Sequence, residues 1–305
     1  MRTIRKYKPM TLAELEAKFP DESACKSYLQ ARRWPQGVTC PRCGHEKVYE
    51  LAREYHWQCE NCAPDGYRFS VLVGTIFENT NIKLPTWFKV IYLMLTSKKG
   101  ISSLQVMRMM GFGSYHTALK MTHKIRVALG KQDFRKLVGF VEVDETFVGG
   151  KAKNRHKNKR GGPGGTGSSG GTGIHGKAIV VGAVQRKGNV ITRVIDTLDS
   201  ETLGRFVRET VSHKVSLVST DERRGYNCIN GEYPHGTVDH WHGEYVHGNV
   251  HTNTIEGFWS MVKRGIVGTF HKVSAKYLPL YVNEFQFRYN NRKNADIFGA
   301  AIKAC

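Results

Sequence analysis

The sequence predicts a multidomain chain: an N-terminal β-ribbon with helices around it, then an α/β domain built on a mixed sheet. Three observations predict it. Four of the seven cysteines fall into two CxxC pairs, strand-like alternation replaces helical spacing from about residue 139, and 46 Lys and Arg stand against 26 Asp and Glu, a net charge of +20. A chain of 305 residues is long enough to build two or three separate cores.

Residues 1–35 are expected to be helical. Leu12, Leu15 and Phe19, then Cys25, Tyr28 and Leu29, recur at helical spacing, with a break near Pro20. Thr11 followed by Glu14 reads as a capping box that opens the first helix. Residues 36–80 form the ribbon, in which KVYEL, YHWQC and YRFSV are short strands between cysteine knuckles. Residues 81–135 return to helix. LPTWFKVIYLMLTS carries Pro85 near its start, ISSLQVMRMMG stops at Gly111, and SYHTALKMTHKIRVALG stops at Gly130. Two helices around the GFGS turn suggest a helix-turn-helix, with a plain helical linker as the other reading.

The third region, residues 139–295, alternates strands and helices. VGFVEVDETFVGG is a strand, KAIVVGAVQ and NVITRVID form a hairpin, and ETLGRFVRETV is an amphipathic helix. KVSLVSTDE is a buried strand, TNTIEGFWSMVKRG a helix, and a last helix covers about 274–290. This order makes an α/β mixed sheet. Between the first two strands, the basic and Gly-rich stretch 153–173 reads as a flexible loop, either touching a DNA backbone or merely tolerated.

Cys40 and Cys43 form one knuckle, and Cys59 and Cys62 form a second after fifteen residues. Two residues between thiolates let both face one metal, and two knuckles complete a four-sulfur tetrahedron. Such a closed site has no position for substrate, so a structural Zn2+ is expected, against an iron–sulfur site or unligated cysteines. Gly44 stands where the knuckle turn needs positive φ. Arg42, His45, Lys47, Arg53 and Trp57 decorate the ribbon, as contacts to phosphate and bases or as simple surface. Cys25, Cys228 and Cys305 have no comparable spacing and read as ordinary residues.

The charge points to a phosphate-rich partner. Each Lys or Arg set against a phosphate releases counterions, whereas an enzyme of small molecules gains nothing from such self-repulsion. No apolar run approaches the roughly 18–20 residues of a membrane span. The basic N-terminus has no apolar signal core behind it. A cytoplasmic DNA-binding protein with no membrane partner is therefore expected.

Apolar strands that finish on a carboxylate often line a site. Asp144 lies in the C-terminal part of FVEVDETF, with Glu142 on its face and Glu145 on the other. Asp221 ends VSLVSTD. Glu256 lies on the helix beginning near Thr252, with Asn253 and Lys263 on roughly the same face. Asp144, Asp221 and Glu256 together suit a pair of Mg2+ ions, which take hard oxygen ligands and act on phosphodiesters from about 3.5–4 Å apart. Salt bridges to the many nearby Lys and Arg are the competing reading.

The stretches VEVDETFVGGK, STDERRGY, HGEYVHGNVHTNTIEGFWSMVKRGIVGTFHKVS and YVNEFQFRYNNR, with the ribbon CPRCGHEKVYE…WQCENC, resemble the ISXO-type DDE transposases of bacterial insertion sequences. The resemblance covers roughly residues 20–295, and thirty-four residues separate Asp221 from Glu256, close to the DDE spacing. It implies an RNase H-like, retroviral-integrase-type catalytic domain. It also implies Mg2+ or Mn2+ held by Asp144, Asp221 and a third residue, Glu256 or Asn253, because the group varies there. Lys263 and Arg264 would hold the DNA backbone or a terminal phosphate, and His251 would order the site or simply enter the helix. His240 and His247 would only pack, and Tyr289, Asn290, Asn291 and Arg292 would close the last helix. The implied partners are double-stranded DNA, both terminal inverted repeats and target, and further copies of the chain. Two other functions fit parts of the sequence: a non-catalytic zinc-ribbon DNA-binding regulator, and a structure-specific nuclease on the same fold.

Overall fold

The computed structural model describes residues 10–62, 64–131, 135–150, 177–221, 223–238 and 250–305. The basic Gly-rich loop at 153–173, His240 and His247 lie outside the described residues. The chain divides into two compact units, Met1–Gln132 with Asn291–Cys305, and Asp133–Asn290.

The first unit begins with α1 (Leu12–Lys18) and α2 (Glu22–Arg33). Thr11 and Glu14 form the capping box: the Glu14 N–H donates to Thr11 Oγ1 at 3.2 Å, and the Thr11 N–H to Glu14 Oε2 at 2.6 Å. Asp21 caps α2 by accepting the Ala24 N–H at 2.8 Å. The ribbon is a three-stranded antiparallel sheet of β1 (Tyr49–Glu50), β2 (His56–Cys59) and β3 (Tyr67–Ser70). Three helices follow: α3 (Leu84–Thr96), α4 (Ser103–Met110) and α5 (Tyr115–Leu129). Gly111 ends α4 at φ 68°, the left-handed conformation that glycine adopts without a Cβ penalty. Ser103 and Thr122 join α4 to α5 by a buried hydroxyl pair at 2.8 Å.

A further helix, α9 (Ile297–Ala304), lies beyond the last expected element and packs into this unit. Its Phe298 ring meets Phe19, Tyr28 and Phe88 at centroid distances of 5.6–6.2 Å. One ribbon expectation is corrected. Trp57 is not surface: it is 4% exposed and packs edge-on to Trp34, because β2 turns alternate residues inward against α2's C-terminal end.

The second unit is a five-stranded sheet in the order β6-β5-β4-β7-β8, from β4 (Leu137–Val148), β5 (Ala178–Gln185), β6 (Val190–Ile195), β7 (Val211–Asp221) and β8 (His235–Val238). The first three strands pair antiparallel, and β7 and β8 add in parallel. A mixed sheet with both faces covered buries every central strand, which is why β5 reads IVVGAV almost without polar residues. Helix α6 (Ser200–Thr210) and the 3-10 turn Arg224–Ile229 cover one face through Leu203, Phe206, Tyr226 and Ile229. Helices α7 (Asn253–Gly265) and α8 (Leu278–Asn290) cover the other through Ile255, Phe258, Trp259 and Phe285. Asn290 ties α8 to the sheet, its amide accepting from the Val190 N–H at 2.8 Å and donating to the Val190 carbonyl at 2.9 Å. This strand order with its flanking helices is an RNase H-like arrangement. No helix among the described residues is long and apolar enough to cross a membrane.

Candidate active site

The cysteines come together as their spacing requires. Cys40, Cys43, Cys59 and Cys62 place their sulfurs within 4.8 Å of one another. Gly44, at φ 74°, turns the first knuckle back so that its N–H reaches the Cys40 carbonyl at 2.9 Å. The His45 backbone N–H and the Asn61 amide hold the Cys43 thiol down to about 6, which favours the thiolate a metal needs. Four sulfurs, with no His, Asp or Glu joining them among the described residues, fit a closed metal site. Arg42 and Lys47 are exposed nearby, with the Arg42 guanidinium 4.2 Å from the centre of the Tyr67 ring.

The carboxylates converge in the second unit. Strands β4 and β7 run parallel with Glu142 opposite Ser219, so Asp144 and Asp221 both stand two residues further on, at the same level. Asp144, Glu145 and Asp221 bring carboxylate oxygens within 4.8 Å of one another. Of the residues expected at a metal, Asp144 and Asp221 therefore meet directly. Burial, then the charges of Glu145 and Asp221, push the Asp144 carboxyl up to about 7, with Glu256 adding to the rise. Such crowding of acids fits a divalent cation.

Glu145 was not anticipated there. It projects from the opposite face of β4, where the Tyr226 hydroxyl donates to it at 2.9 Å and the Arg223 guanidinium pairs with it. Burial and Asp221 raise its carboxyl, while Arg223 and Tyr226 oppose the rise. Acids on both faces of the strand reach one place because they lie beside the end of β7, where Asp221 closes the strand. The signal in the sequence was the adjacency of Asp144 and Glu145 followed, after Asp221, by arginines at 223 and 224.

Glu256 and Asn253 lie exposed on the first turn of α7, outside the tight three-acid cluster. Glu256 accepts the Thr252 hydroxyl at 2.8 Å and acts electrostatically on Asp144. Lys263 and Arg264 are exposed in the last turn of the same helix. His251 Nδ1 lies 3.1 Å from Glu142, directly before α7. Apart from the four cysteines and the Asp144–Glu145–Asp221 set, no group of three or more metal-ligating residues gathers among the described residues.

Residues 136–290 match the family model described as ISXO2-like transposase domain, and residues 20–64 match the transposase zinc-ribbon domain. The chain is also 28% identical over 274 residues to a protein from Halobacterium salinarum described as an uncharacterized protein in transposable element ISH50, covering 88% of this chain and 91% of that one. The two matched segments contain the two clusters, all four cysteines in one and all three acids in the other. With a zinc-ribbon domain in front and a DDE-type domain spanning half of its length, the chain belongs to the ISXO2-like transposase family.

Proposed function

We propose that this chain is a DNA transposase that binds the terminal inverted repeats of its element, cuts them and joins them to target DNA. The observation that carries this reading is the meeting of Asp144, within β4, with Asp221, the last residue of the adjacent parallel strand β7. In this reading Asp144 and Asp221 hold Mg2+ or Mn2+, and Glu256 approaches from α7 as the third carboxylate, with Asn253 beside it as an alternative ligand or a substrate contact. Burial, and then the neighbouring acids, raise Asp144; a bound cation would offset both, so the residues present fit the ion. Bound, the ion supplies Lewis-acid charge at the scissile phosphodiester.

The chain's own residues do the rest. Glu145 is compensated by Arg223, which keeps the third strand acid from overloading the site with negative charge. Lys263 and Arg264 project from the same helix as Glu256 and would grip the DNA backbone. The reaction is direct phosphoryl transfer. Water attacks the phosphorus and the bond to the element's 3′-oxygen breaks; the freed 3′-hydroxyl then attacks a target phosphodiester, forming the new P–O bond as the bond to the target strand's 3′-oxygen breaks and leaves a target 3′-hydroxyl. No covalent enzyme intermediate forms. The ribbon, held by structural Zn2+, presents Arg42 and Lys47 to the duplex. Two ends must be joined in one event, so a dimer or larger assembly on DNA follows.

The test is strand cleavage and transfer on a duplex that carries the element's ends. Asp144→Ala and Asp221→Ala should abolish both while leaving DNA binding intact. Cleavage that survives both substitutions would return the acids to a structural role. Duplex binding with no cleavage by the parent would favour the regulator reading. Cleavage without any strand transfer would favour the nuclease.

A further inference from the structure

Among the buried acids that the mechanism leaves unused is Glu142. Glu142 is fully buried, two residues before Asp144 on the α7 side of β4. Its two oxygens are surrounded by donors from elsewhere in the fold. Oε2 accepts the backbone N–H groups of Thr254 at 2.7 Å and Ile255 at 3.0 Å. Oε1 accepts the Thr254 hydroxyl at 2.8 Å and Arg186 Nε at 2.7 Å; His251 Nδ1 lies 3.1 Å away without hydrogen-bond geometry. Arg186, whose side chain is 18% exposed, also donates to the His251 carbonyl at 3.1 Å.

Two of these donors are the N–H groups that the first turn of α7 cannot satisfy within the helix. Thr252, at the N-cap, offers α7 no side-chain cap of its own; its hydroxyl goes to Glu256. The cap is supplied instead by a strand residue more than a hundred positions away. A negative group at a helix N-terminus is also favoured by the helix dipole. With its lone pairs taken by protein donors, Glu142 has none to offer a metal.

We propose that Glu142 is a positioning residue: it caps α7 from β4 and so fixes the helix turn carrying Asn253 and Glu256 against the strand carrying Asp144. Arg186, which bonds both Glu142 and the His251 carbonyl, completes the anchor. The consequence for the site rests on the metal-site reading above, while the anchoring itself does not. One strand thus sets both Asp144 and the first turn of α7.

The experiment uses the full-length, zinc-loaded chain, three variants at the cap, and Asp144→Ala as the comparison for cleavage. Glu142→Ala removes the cap. Glu142→Gln keeps its size but places an NH2 group among donors. Thr254→Val removes one hydroxyl donor and folds if the others do not. Three quantities are measured: backbone hydrogen exchange in the peptide spanning the start of α7, Mn2+ affinity by calorimetry, and end cleavage. Glu142→Ala and Glu142→Gln should both speed exchange at Thr254 and Ile255 by about tenfold or more, with exchange in β5 unchanged. Cleavage should fall about a hundredfold, the scale of a small misplacement of a catalytic group, and Mn2+ affinity should weaken with it. Thr254→Val should fall between these variants and the parent. If Glu142→Gln behaves like the parent, or α7 exchange is unchanged in every variant, the proposal is overturned. If α7 loosens but Mn2+ affinity and cleavage stay at parental values, the anchor does not serve the site and the positioning role is likewise overturned. Loss of cleavage in the Glu142 variants with full retention of cleavage in Asp144→Ala would instead sink the metal-site reading.

Discussion

Trp259 stands in the space that a side chain at position 182 would occupy. A Cβ on Gly182 would come within 2.7 Å of the Trp259 indole and 3.2 Å of the Ile255 side chain. Gly182 is the residue paired with Asp144 across the β4–β5 ladder. The glycine therefore lets α7 sit down on the sheet directly beside the acid cluster, where any other residue would lift it.

Gly182→Ala should accordingly destabilise the fold by about 1–3 kcal/mol, the usual range for overpacking a filled core. Because the strain falls beneath α7, end cleavage should drop more steeply than the melting temperature suggests. Differential scanning fluorimetry beside a cleavage assay checks both. An Ala variant with parental stability and activity would mean that the indole moves aside at no cost.

Asp144 gives the chain a pH signature. Its carboxyl is raised from 3.8 to about 7, so between those values the folded state holds a proton that the unfolded state does not. The stability contributed by that proton is fully present below about pH 4 and is lost as pH rises through 7, up to about 4 kcal/mol. Without added Mg2+, the parent should lose melting temperature between pH 5 and pH 8. Asp144→Asn should flatten this decline and be the more stable protein at pH 8. Melting curves for both across that range are the check, and parallel slopes would refute the assignment.

The pair formed by Glu145 and Arg223 predicts an asymmetric mutant cycle. The Glu145 side chain is 2% exposed and that of Arg223 34%. Removing Arg223 leaves a buried carboxylate uncompensated, so Arg223→Met should cost about 3 kcal/mol, the low end for breaking a buried pair. Glu145→Gln in that background should recover much of the loss. Chemical denaturation of the two single variants and the double variant measures the coupling.

The ribbon makes a prediction that tryptophan fluorescence can read. Trp57, two residues before Cys59, packs against Trp34 at 5.5 Å and Phe69 at 5.9 Å. A small sheet held by four sulfurs depends on its metal to fold. Stripping zinc with a strong chelator should release one ion per chain and expose Trp57, with a red-shifted emission. Cys59→Ser should do the same without chelator. An unchanged emission maximum after complete zinc release would show that the ribbon's aromatic core stands alone.

Much of this was legible in the sequence because it is local. The cysteine knuckles, the Thr11–Glu14 capping box, the Gly111 stop and the alternation that puts Glu142 with Asp144 all depend on spacings within a few residues. What escaped depends on contacts between distant segments. Trp57 reads as one aromatic in a polar ribbon until Trp34 is found against it. Helix α9 is too short to show a period, and its Phe298 finds partners from Phe19 to Phe88. Glu145 joins the acids only because β7 ends beside β4, and Glu142 shows its role only when α7 is laid on the sheet. Which acid stands third beside Asp144 and Asp221 follows from tertiary geometry, and strand patterning does not carry that information.

The account turns on Asp144 and Asp221 acting together on DNA. The measurement that tests it most directly is single-turnover cleavage and joining of an end-bearing duplex in Mg2+, comparing the parent with Asp144→Asn and Asp221→Asn under conditions where all three bind the duplex equally. The account predicts cut and joined strands from the parent and none from either variant. Cleavage at the parental rate by either variant, with binding unchanged, would contradict it.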